Sequence, residues 1–188
     1  MAIFITSDTH FGHRAIIKYS NRPFVEYKAM DKALLDNINR LVQPNDTLYH
    51  LGDWSLGYNH SPEDYRRQIN CRNITLILGN HDKKILRARD RYLRSFYEIT
   101  PLKEIKAGDQ SITLCHFAMR VWDKSHHGAW HLYGHSHGSL PDDPNSLSCD
   151  VGVDCWDYCP ISLDQVAAVM ATKKFVPIDH HGDREHEK

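Results

Sequence analysis

The sequence predicts an α/β fold made of a parallel sheet followed by a second sheet. Short apolar runs rich in β-branched residues alternate with amphipathic helical patterns through the first half, which is a βαβ order. From about residue 99 the helical patterns stop, and strand patterns separated by turn residues replace them. The chain has 188 residues and 41% hydrophobic content, which is enough for one domain with a substantial core.

Three strand patterns and two helical patterns fill the first half of the chain. We predict strands over residues 2–8, 47–53 and 73–80, and helices over 28–42 and 62–70. The longer helix carries an apolar stripe at spacings of four, four and three residues, formed by Met30, Leu34, Ile38 and Leu41. The stripe is expected to pack on the parallel sheet.

The second half reads as a series of β-hairpins. A Gly108-Asp109 turn precedes the strand pattern over 111–117, and further strand patterns cover 130–137 and 146–154 before a last helix near 162–171. These strands predict a second sheet. We expect residues 1–178 to form a single domain, and residues 179–188, which lack apolar periodicity, to form a disordered tail.

Charge and composition limit the classes of protein to which the chain can belong. Lys and Arg number 23 against 24 Asp and Glu, so there is no global basic field of the kind that marks a dedicated nucleic-acid binder. No apolar stretch approaches the roughly 18 residues of a membrane helix, so no membrane partner is expected. Five cysteines without a signal peptide predict reduced thiols and a cytoplasmic protein.

Polar clusters follow the three strand patterns of the first half. Asp8 and His10 follow the first strand, Asp53 the second and Asn80 the third. The ends of parallel strands meet at one edge of a sheet, where α/β proteins build their sites. Asp8 and His10 are two residues apart, so in an extended backbone their side chains share a face and can hold one ion. The glycine before Asp53 and before Asn80 favours a sharp turn there.

The second half adds three histidines to this set. His116 ends a strand pattern, and His135 and His137 again lie two residues apart. Nitrogen and oxygen donors without a thiolate suit Mn²⁺, Fe, Zn²⁺ or Ni²⁺ better than Ca²⁺ or Mg²⁺ alone. Two divalent ions would outweigh two carboxylates and a bridging hydroxide, which leaves a net positive pocket that attracts phosphate.

Five motifs, in this order, resemble those of the calcineurin-like metallophosphoesterases. They are DTH (8–10), GD (52–53), GNHD (79–82), His116 and GHSH (134–137). The opening DTHFGH, NRPF (21–24) and VDCWDYCPISLDQV (153–166) are similar to compact, single-domain bacterial and phage members. The resemblance therefore covers nearly the whole chain.

The resemblance implies a fold and a ligand assignment. The fold would be a four-layer αββα sandwich of two mixed sheets. Asp8, His10 and His137 would hold the first of two divalent transition-metal ions. Asn80, His116 and His135 would hold the second, and Asp53 would bridge them. Manganese is the first expectation for the metal, with iron, nickel and zinc as alternatives.

The expected reaction is hydrolysis of a phosphoester by a metal-bound hydroxide. His81 resembles the family histidine that contacts the phosphoryl group and protonates the leaving oxygen, although it could simply be a structural hydrogen-bond donor. His13 and Arg22 are candidate donors to a substrate phosphate, with structural packing of their loop as an equal alternative. For Asp82 we favour a helix cap over a role in orienting His81. His50, inside a strand pattern, is predicted to be buried and hydrogen-bonded.

The substrate class is left partly open. A phosphodiesterase on a nucleotide-like or cyclic phosphoester leads, with a phosphomonoesterase on a small metabolite and a nuclease as alternatives. A non-catalytic interaction module is less favoured because no ligand is missing. The basic stripe of a helix predicted over 83–95 is either a landing surface for nucleotide phosphates or an ordinary solvated face. Oligomeric state is not encoded in these patterns.

Overall fold

The strands of the protein were located in a computed structural model that describes residues 1–56 and 60–179. Within these residues there are nine strands: β1 (Ile3–Thr6), β2 (Thr47–His50), β3 (Asn73–Ile77), β4 (Glu98–Thr100), β5 (Leu102–Ala107), β6 (Gln110–Cys115), β7 (Trp130–Tyr133), β8 (Ser148–Asp150) and β9 (Ile161–Ser162). All three strands predicted in the first half are present, although each is shorter than its sequence pattern.

The helices of the described residues are mostly short. They are α1 (Ile16–Tyr19), α2 (Tyr27–Leu41), α3 (Pro62–Arg66), α4 (Lys83–Arg87), α5 (Arg89–Tyr92) and α6 (Leu163–Met170), with 3₁₀ turns at Ser125–His127 and Val153–Cys155. α2 lies where the apolar stripe predicts it. The single helix predicted over 83–95 is wrong, because Ala88 leaves the helical region (φ −118°, ψ 35°) and separates α4 from α5.

Both sheets are mixed. The first has the order β4-β3-β2-β1-β9, with four parallel strands and an antiparallel β9 at the edge. The second has the order β5-β6-β7-β8, in which only β5 and β6 are antiparallel. The prediction of a series of hairpins is therefore wrong beyond β6. The connections 116–129 and 134–147 are long enough to cross over, which allows parallel pairing.

The first sheet separates two apolar cores. Neighbouring residues of β1 point to opposite faces, so that Phe4 packs into the core under α2 and Ile5 packs into the core between the two sheets. Leu114 and Leu132 of the second sheet fill the core between the sheets from the other side. The predicted αββα sandwich is confirmed.

The outer layer over the second sheet is thin. It includes the loop after β6 and the Ser125–His127 turn, and residues 175–179 line a cavity together with this loop. Trp122 of this loop stacks near His131 with ring centroids 5.2 Å apart, and the backbone N–H of Met119 donates to His131 Nε2 (3.1 Å). The outer face is thus closed by side chains from a loop, which leaves the sheet edges near the loops free to carry polar residues.

The last described residue of the chain packs against the 3₁₀ turn at Ser125–His127. The predicted tail 179–188 lies outside the described residues except for Asp179, whose carboxylate accepts a hydrogen bond from the Ser125 hydroxyl (2.9 Å). Among the helices of the described residues, none combines the length and the apolar character needed to cross a bilayer.

Candidate metal centre

Most of the predicted metal ligands have a left-handed backbone conformation. Of the nine non-glycine residues with positive φ in the described chain, five are predicted metal ligands: Asp8 (59°), His10 (49°), Asp53 (55°), His135 (67°) and His137 (49°). L-residues avoid this region, at a cost of order 1–3 kcal/mol each, unless the surroundings enforce it. Each left-handed residue turns the chain sharply just beyond a strand, so the side chains converge on one place.

Backbone hydrogen bonds hold the loops of the two halves in register. The N–H of Asp8 donates to the Gly52 carbonyl (3.0 Å), and the N–H of His10 donates to the Asp53 carbonyl (2.9 Å). Across the sheets, the N–H of His135 donates to Asp8 Oδ2 (2.9 Å). The DTH, GD and GHSH segments therefore form one hydrogen-bonded unit, which fixes the relative positions of their ligands.

The glycines of the motifs are required by close approach. Gly52 has φ 97°, as the predicted sharp turn demands. Gly79 does not, but a Cβ there would lie 2.2 Å from Asp53 Oδ1, and a Cβ on Gly134 would lie 2.3 Å from Asp8 Oδ2. Any side chain at these two positions would displace a ligand carboxylate.

Asp8, His10 and His137 form the first cluster. One potential ligand atom from each lies within 4.8 Å of the other two. Asp8 Oδ1 and His10 Nε2 are fully buried and have no hydrogen-bond partner among the described residues. Burying such atoms without a partner costs free energy, and a cation between them would satisfy both.

The pKa shifts of Asp8 and His10 are those expected at a site that binds a cation. Burial raises the pKa of Asp8 to about 7, partly offset by the charge of His137. Burial also holds the pKa of His10 well below its usual value, and neighbouring His137 and Arg22 add to the effect. His10 is therefore neutral and offers a lone pair, while the buried Asp8 carboxylate needs a cation to remain charged.

Asp53, His116 and His135 form the second cluster, with ligand atoms within 4.8 Å of one another. Asn80 belongs beside them, because its Oδ1 lies 3.0 Å from His116 Nε2. His116 Nδ1 donates to the Leu51 carbonyl (2.7 Å), so in the neutral ring Nε2 carries a lone pair. A lone pair facing the Asn80 oxygen is the arrangement that a cation between them would stabilise.

Asp53 lies between the two clusters. Its Oδ2 is 3.5 Å from His10 Nε2 and 3.6 Å from His116 Nε2. Its Oδ1 accepts a hydrogen bond from the backbone N–H of His81 (2.8 Å), which fixes the orientation of the carboxylate. This is the position that a carboxylate shared by two ions requires. The seven donors are nitrogen and oxygen atoms, a set suited to divalent transition metals.

Asp154 supports the first cluster, and sequence reasoning missed it. Its Oδ2 accepts a hydrogen bond from His137 Nδ1 (2.6 Å), which leaves Nε2 of His137 directed toward Asp8. This contact and the charges of Asp8 and Asp154 outweigh burial, so the pKa of His137 is raised. Asp154 lies in the 153–166 stretch, 17 residues beyond His137, and no local pattern relates the two.

Arg22 is not available to a substrate, contrary to the sequence-based interpretation. Its guanidinium is buried and makes two hydrogen bonds to Asp154, both of 2.8 Å. It also donates to the carbonyls of Asp8 (2.7 Å) and Thr9 (3.1 Å). The buried fork of Arg22 thus connects Asp154 to the DTH loop, and no donor is left to reach a phosphate in solution.

The helix cap predicted for Asp82 is wrong, because its side chain makes no cap hydrogen bond. The buried carboxylate accepts instead from the backbone N–H groups of Asp53 (2.8 Å), Trp54 (3.0 Å) and Gly79 (2.8 Å). Burial raises the pKa of Asp82 to about 7. Asp82 therefore joins the GD and GNHD loops and holds the backbone of Asp53 in place.

His81 and His13 lie over the ligands. The His81 side chain is 39% exposed, its ring centroid is 5.4 Å from that of His10, and its Nε2 is 4.0 Å from Asp53 Oδ2. His13 lies beside it, with ring centroids 6.3 Å apart, and burial followed by the charges of His81 and Arg22 lowers its pKa. Both imidazoles can reach a molecule that sits on the two clusters.

Two other histidines are structural. His50 is buried, as predicted, and shares a hydrogen bond of 2.9 Å with the Thr9 hydroxyl; burial lowers its pKa to about 3. His131 is also buried, and its Nδ1 lies 3.1 Å from the Thr113 carbonyl. Histidine content alone does not distinguish these rings from the ligands.

The fold and the ligand clusters define a metal-dependent phosphoesterase. The sequence model of the calcineurin-like phosphoesterase superfamily domain matches residues 1–148, and the chain belongs to that superfamily. The uncharacterized protein MJ1445 of Methanocaldococcus jannaschii is 33% identical over 181 residues, which are 93% of this chain and 94% of that protein. The similarity extends beyond the motifs.

Solved structures share the fold. AQ665 of Aquifex aeolicus, a protein of unknown function, superposes with a TM-score of 0.68 at 24% identity, covering 89% of this chain and 98% of that one. A structure described as a novel archaeal phosphodiesterase superposes with a TM-score of 0.50 at 18% identity, covering 81% and 84%. Both chains are matched over most of their length.

Proposed function

We propose that the protein is a dinuclear metal phosphodiesterase that hydrolyses a nucleotide-like or cyclic phosphoester. The observation that carries the proposal is the position of Asp53 Oδ2, 3.5 Å from one cluster and 3.6 Å from the other. One carboxylate can then serve two ions, with Asp8, His10 and His137 on one side and Asn80, His116 and His135 on the other. Manganese is the first candidate metal, ahead of iron, nickel and zinc.

The residues of this chain would bind and orient the substrate phosphate. When bound, the two ions would supply positive charge to the phosphoryl oxygens and activate water for an in-line attack. His81 would donate a proton to the leaving oxygen, because it is half-exposed and stands above the carboxylate shared by the clusters. His13, beside it, would hydrogen-bond a non-bridging phosphate oxygen.

The surroundings of the site favour an accessible substrate. The His135 and His81 residues are exposed, so the phosphate position is reached directly from solvent. A phosphomonoesterase with the same ligands remains the second candidate, because His81 could equally protonate an alkoxide leaving from a monoester. A non-catalytic module is disfavoured, since all seven ligands converge. Five free thiols accord with the proposed cytoplasmic location.

A direct assay tests this function. Protein loaded separately with Mn²⁺, Ni²⁺, Zn²⁺ or Mg²⁺ would be assayed on p-nitrophenyl phosphate, bis-p-nitrophenyl phosphate and 2′,3′-cyclic nucleotides. The expected result is a higher kcat/KM for the diesters, with at least one transition metal better than Mg²⁺. Faster hydrolysis of the monoester with every metal would favour the phosphomonoesterase, and no hydrolysis of any ester would reject the proposal.

A further inference from the structure

A cleft of about 610 Å³ begins at the metal centre. It is lined at one end by Asn80 and His81 and continues along the cationic side chains of Lys83, Lys84 and Arg87. Among the described residues, no carboxylate lines it. The cleft therefore connects the position of the reacting phosphate to a strip of positive charge.

The structure divides the predicted basic stripe into used and unused cations. The predicted stripe consists of Lys83, Lys84, Arg87, Arg91 and Arg94. Of these, Arg91 forms a double contact with Glu63 (3.0 and 2.6 Å). Arg89, outside the stripe, donates to the Ile99 carbonyl (2.9 Å). The three cations of the cleft have no hydrogen bond or ion pair with any described residue. The guanidinium of Arg94 also has no such partner among the described residues, but it does not line the cleft, so Lys83, Lys84 and Arg87 are the free cations of the stripe beside His81.

The three cations stand close together and repel one another, and an anionic ligand would remove that repulsion. Lys83 and Arg87 are four residues apart on α4, and Lys84 and Arg87 are three apart, so they stand on neighbouring positions of the helix surface. Like charges at these spacings destabilise a helix. The chain as a whole is close to neutral, with 23 basic and 24 acidic residues, so the strip is a local feature.

From these observations we propose that the substrate carries a further phosphate beyond the one that reacts, and that Lys83, Lys84 and Arg87 bind it. The reacting phosphate would sit at the Asn80 and His81 end, and the further phosphate would lie along α4. A short oligonucleotide or a nucleotide with an additional terminal phosphate has this chemistry. The inference rests on the proposed phosphodiesterase and narrows its substrate class.

Matched substrates test the inference. Hydrolysis of bis-p-nitrophenyl phosphate, dithymidylate, dithymidylate with a 5′ or 3′ terminal phosphate, and tetrathymidylate would be compared at low and high salt. We expect kcat/KM to rise by about tenfold when a further phosphate is present, and to lose that gain at high salt. A gain with the terminally phosphorylated dimer identifies a nucleotide with an added phosphate as sufficient. A gain only with the tetramer identifies an oligonucleotide.

Charge-matched variants locate the effect. The triple variant Lys83→Gln, Lys84→Gln, Arg87→Gln should lose the preference for tetrathymidylate, measured as its kcat/KM divided by the kcat/KM for bis-p-nitrophenyl phosphate. The control Arg72→Gln, Lys106→Gln, Lys174→Gln has the same change in net charge at exposed cations outside the basic stripe and should retain it. Equal ratios in the two variants, or no gain from the further phosphate in the unmodified protein, would overturn the inference.

A binding measurement keeps this test separate from that of the catalytic proposal. Fluorescence anisotropy of labelled tetrathymidylate should show weaker binding to the cleft variant than to the control, whether or not any ester is hydrolysed. Absence of hydrolysis with this difference in binding would reject the phosphodiesterase and retain the anion site. Hydrolysis of the small diester with identical binding by both variants would retain the phosphodiesterase and reject the anion site.

Discussion

The two ligand clusters differ in how their histidines are held. In the first cluster, Asp154 accepts a hydrogen bond from His137 (2.6 Å), and Arg22 fixes Asp154 from the other side. In the second, the Leu51 carbonyl fixes His116 Nδ1 (2.7 Å), but the exposed His135 ring makes no hydrogen bond among the described residues and lies against the rings of His116 and Phe117. The first cluster therefore has a histidine held by a buried carboxylate, whereas in the second cluster His116 is held by a neutral carbonyl and His135 by no hydrogen bond among the described residues.

Because of this difference, we expect the two clusters to bind ions with unequal affinity. A histidine whose second nitrogen is fixed by a carboxylate is preoriented and more basic, and loss of such a partner typically lowers metal affinity about 10–100-fold. The first cluster also contains two buried atoms without a hydrogen-bond partner among the described residues, Asp8 Oδ1 and His10 Nε2. It should be the tighter site, with the second site exchanging ions more readily.

The largest expected effect comes from the one residue the clusters share. Asp53→Asn should lose both ions and reduce hydrolysis to background, because the shared carboxylate would no longer neutralise either ion. Metal content by mass spectrometry and the diester assay measure this. Asp36→Asn, at an exposed carboxylate paired with Lys32, is the control and should retain about two ions. Full activity in the Asp53 variant would refute the shared-ligand assignment.

His81 belongs to neither cluster, and its removal should separate ion binding from turnover. His81→Ala should retain both ions but turn over roughly 10²–10⁴-fold more slowly, with the larger loss on poor leaving groups, because they need the proton most. The dependence of kcat on leaving-group pKa measures the effect, with His127→Ala as control. An equal loss on good and poor leaving groups would exclude the role of a proton donor.

Substitution of Asp154 tests its hydrogen bond to His137 directly. Asp154→Ala should weaken ion binding at the first cluster by about 10–100-fold and leave the second unchanged, whereas Asp154→Asn, which keeps an acceptor, should lose less. Competition titrations with a metal indicator give the two affinities, and urea unfolding of the metal-free variants controls for stability. If both sites weaken equally, Asp154 acts on folding and not on His137.

The smallest expected effect is the order of ion release. Stepwise addition of a chelator should remove the ion of the second cluster first, with an affinity difference of roughly tenfold between the sites. Spectroscopy of the cobalt-substituted protein can follow each site during the titration. Simultaneous loss of both ions, or earlier loss from the first cluster, would contradict the inferred inequality.

The prediction from sequence succeeded where the signal was local. The D-x-H spacing, the strand ends and the apolar stripe of α2 each lie within a few residues. The donor set remains a prediction, drawn from residue type and position at the strand ends and assigned to the two ions by the family resemblance. The prediction from sequence failed for β7 and β8, because turn residues mark where a strand ends but not whether a long connection crosses over. The role of Asp82 was missed because two of its three partners, Asp53 and Trp54, belong to another loop.

By itself, the sequence determined the superfamily, the α/β class and the set of donor side chains, since these depend on residue type and short spacing. The family resemblance implied the grouping of the donors, but the tertiary structure decided the distances between them, which cations stay free beside His81, and that Arg22 serves Asp154. Arg22 and Asp154 are 132 residues apart. Such contacts depend on how sheets and loops pack, and no local pattern encodes them.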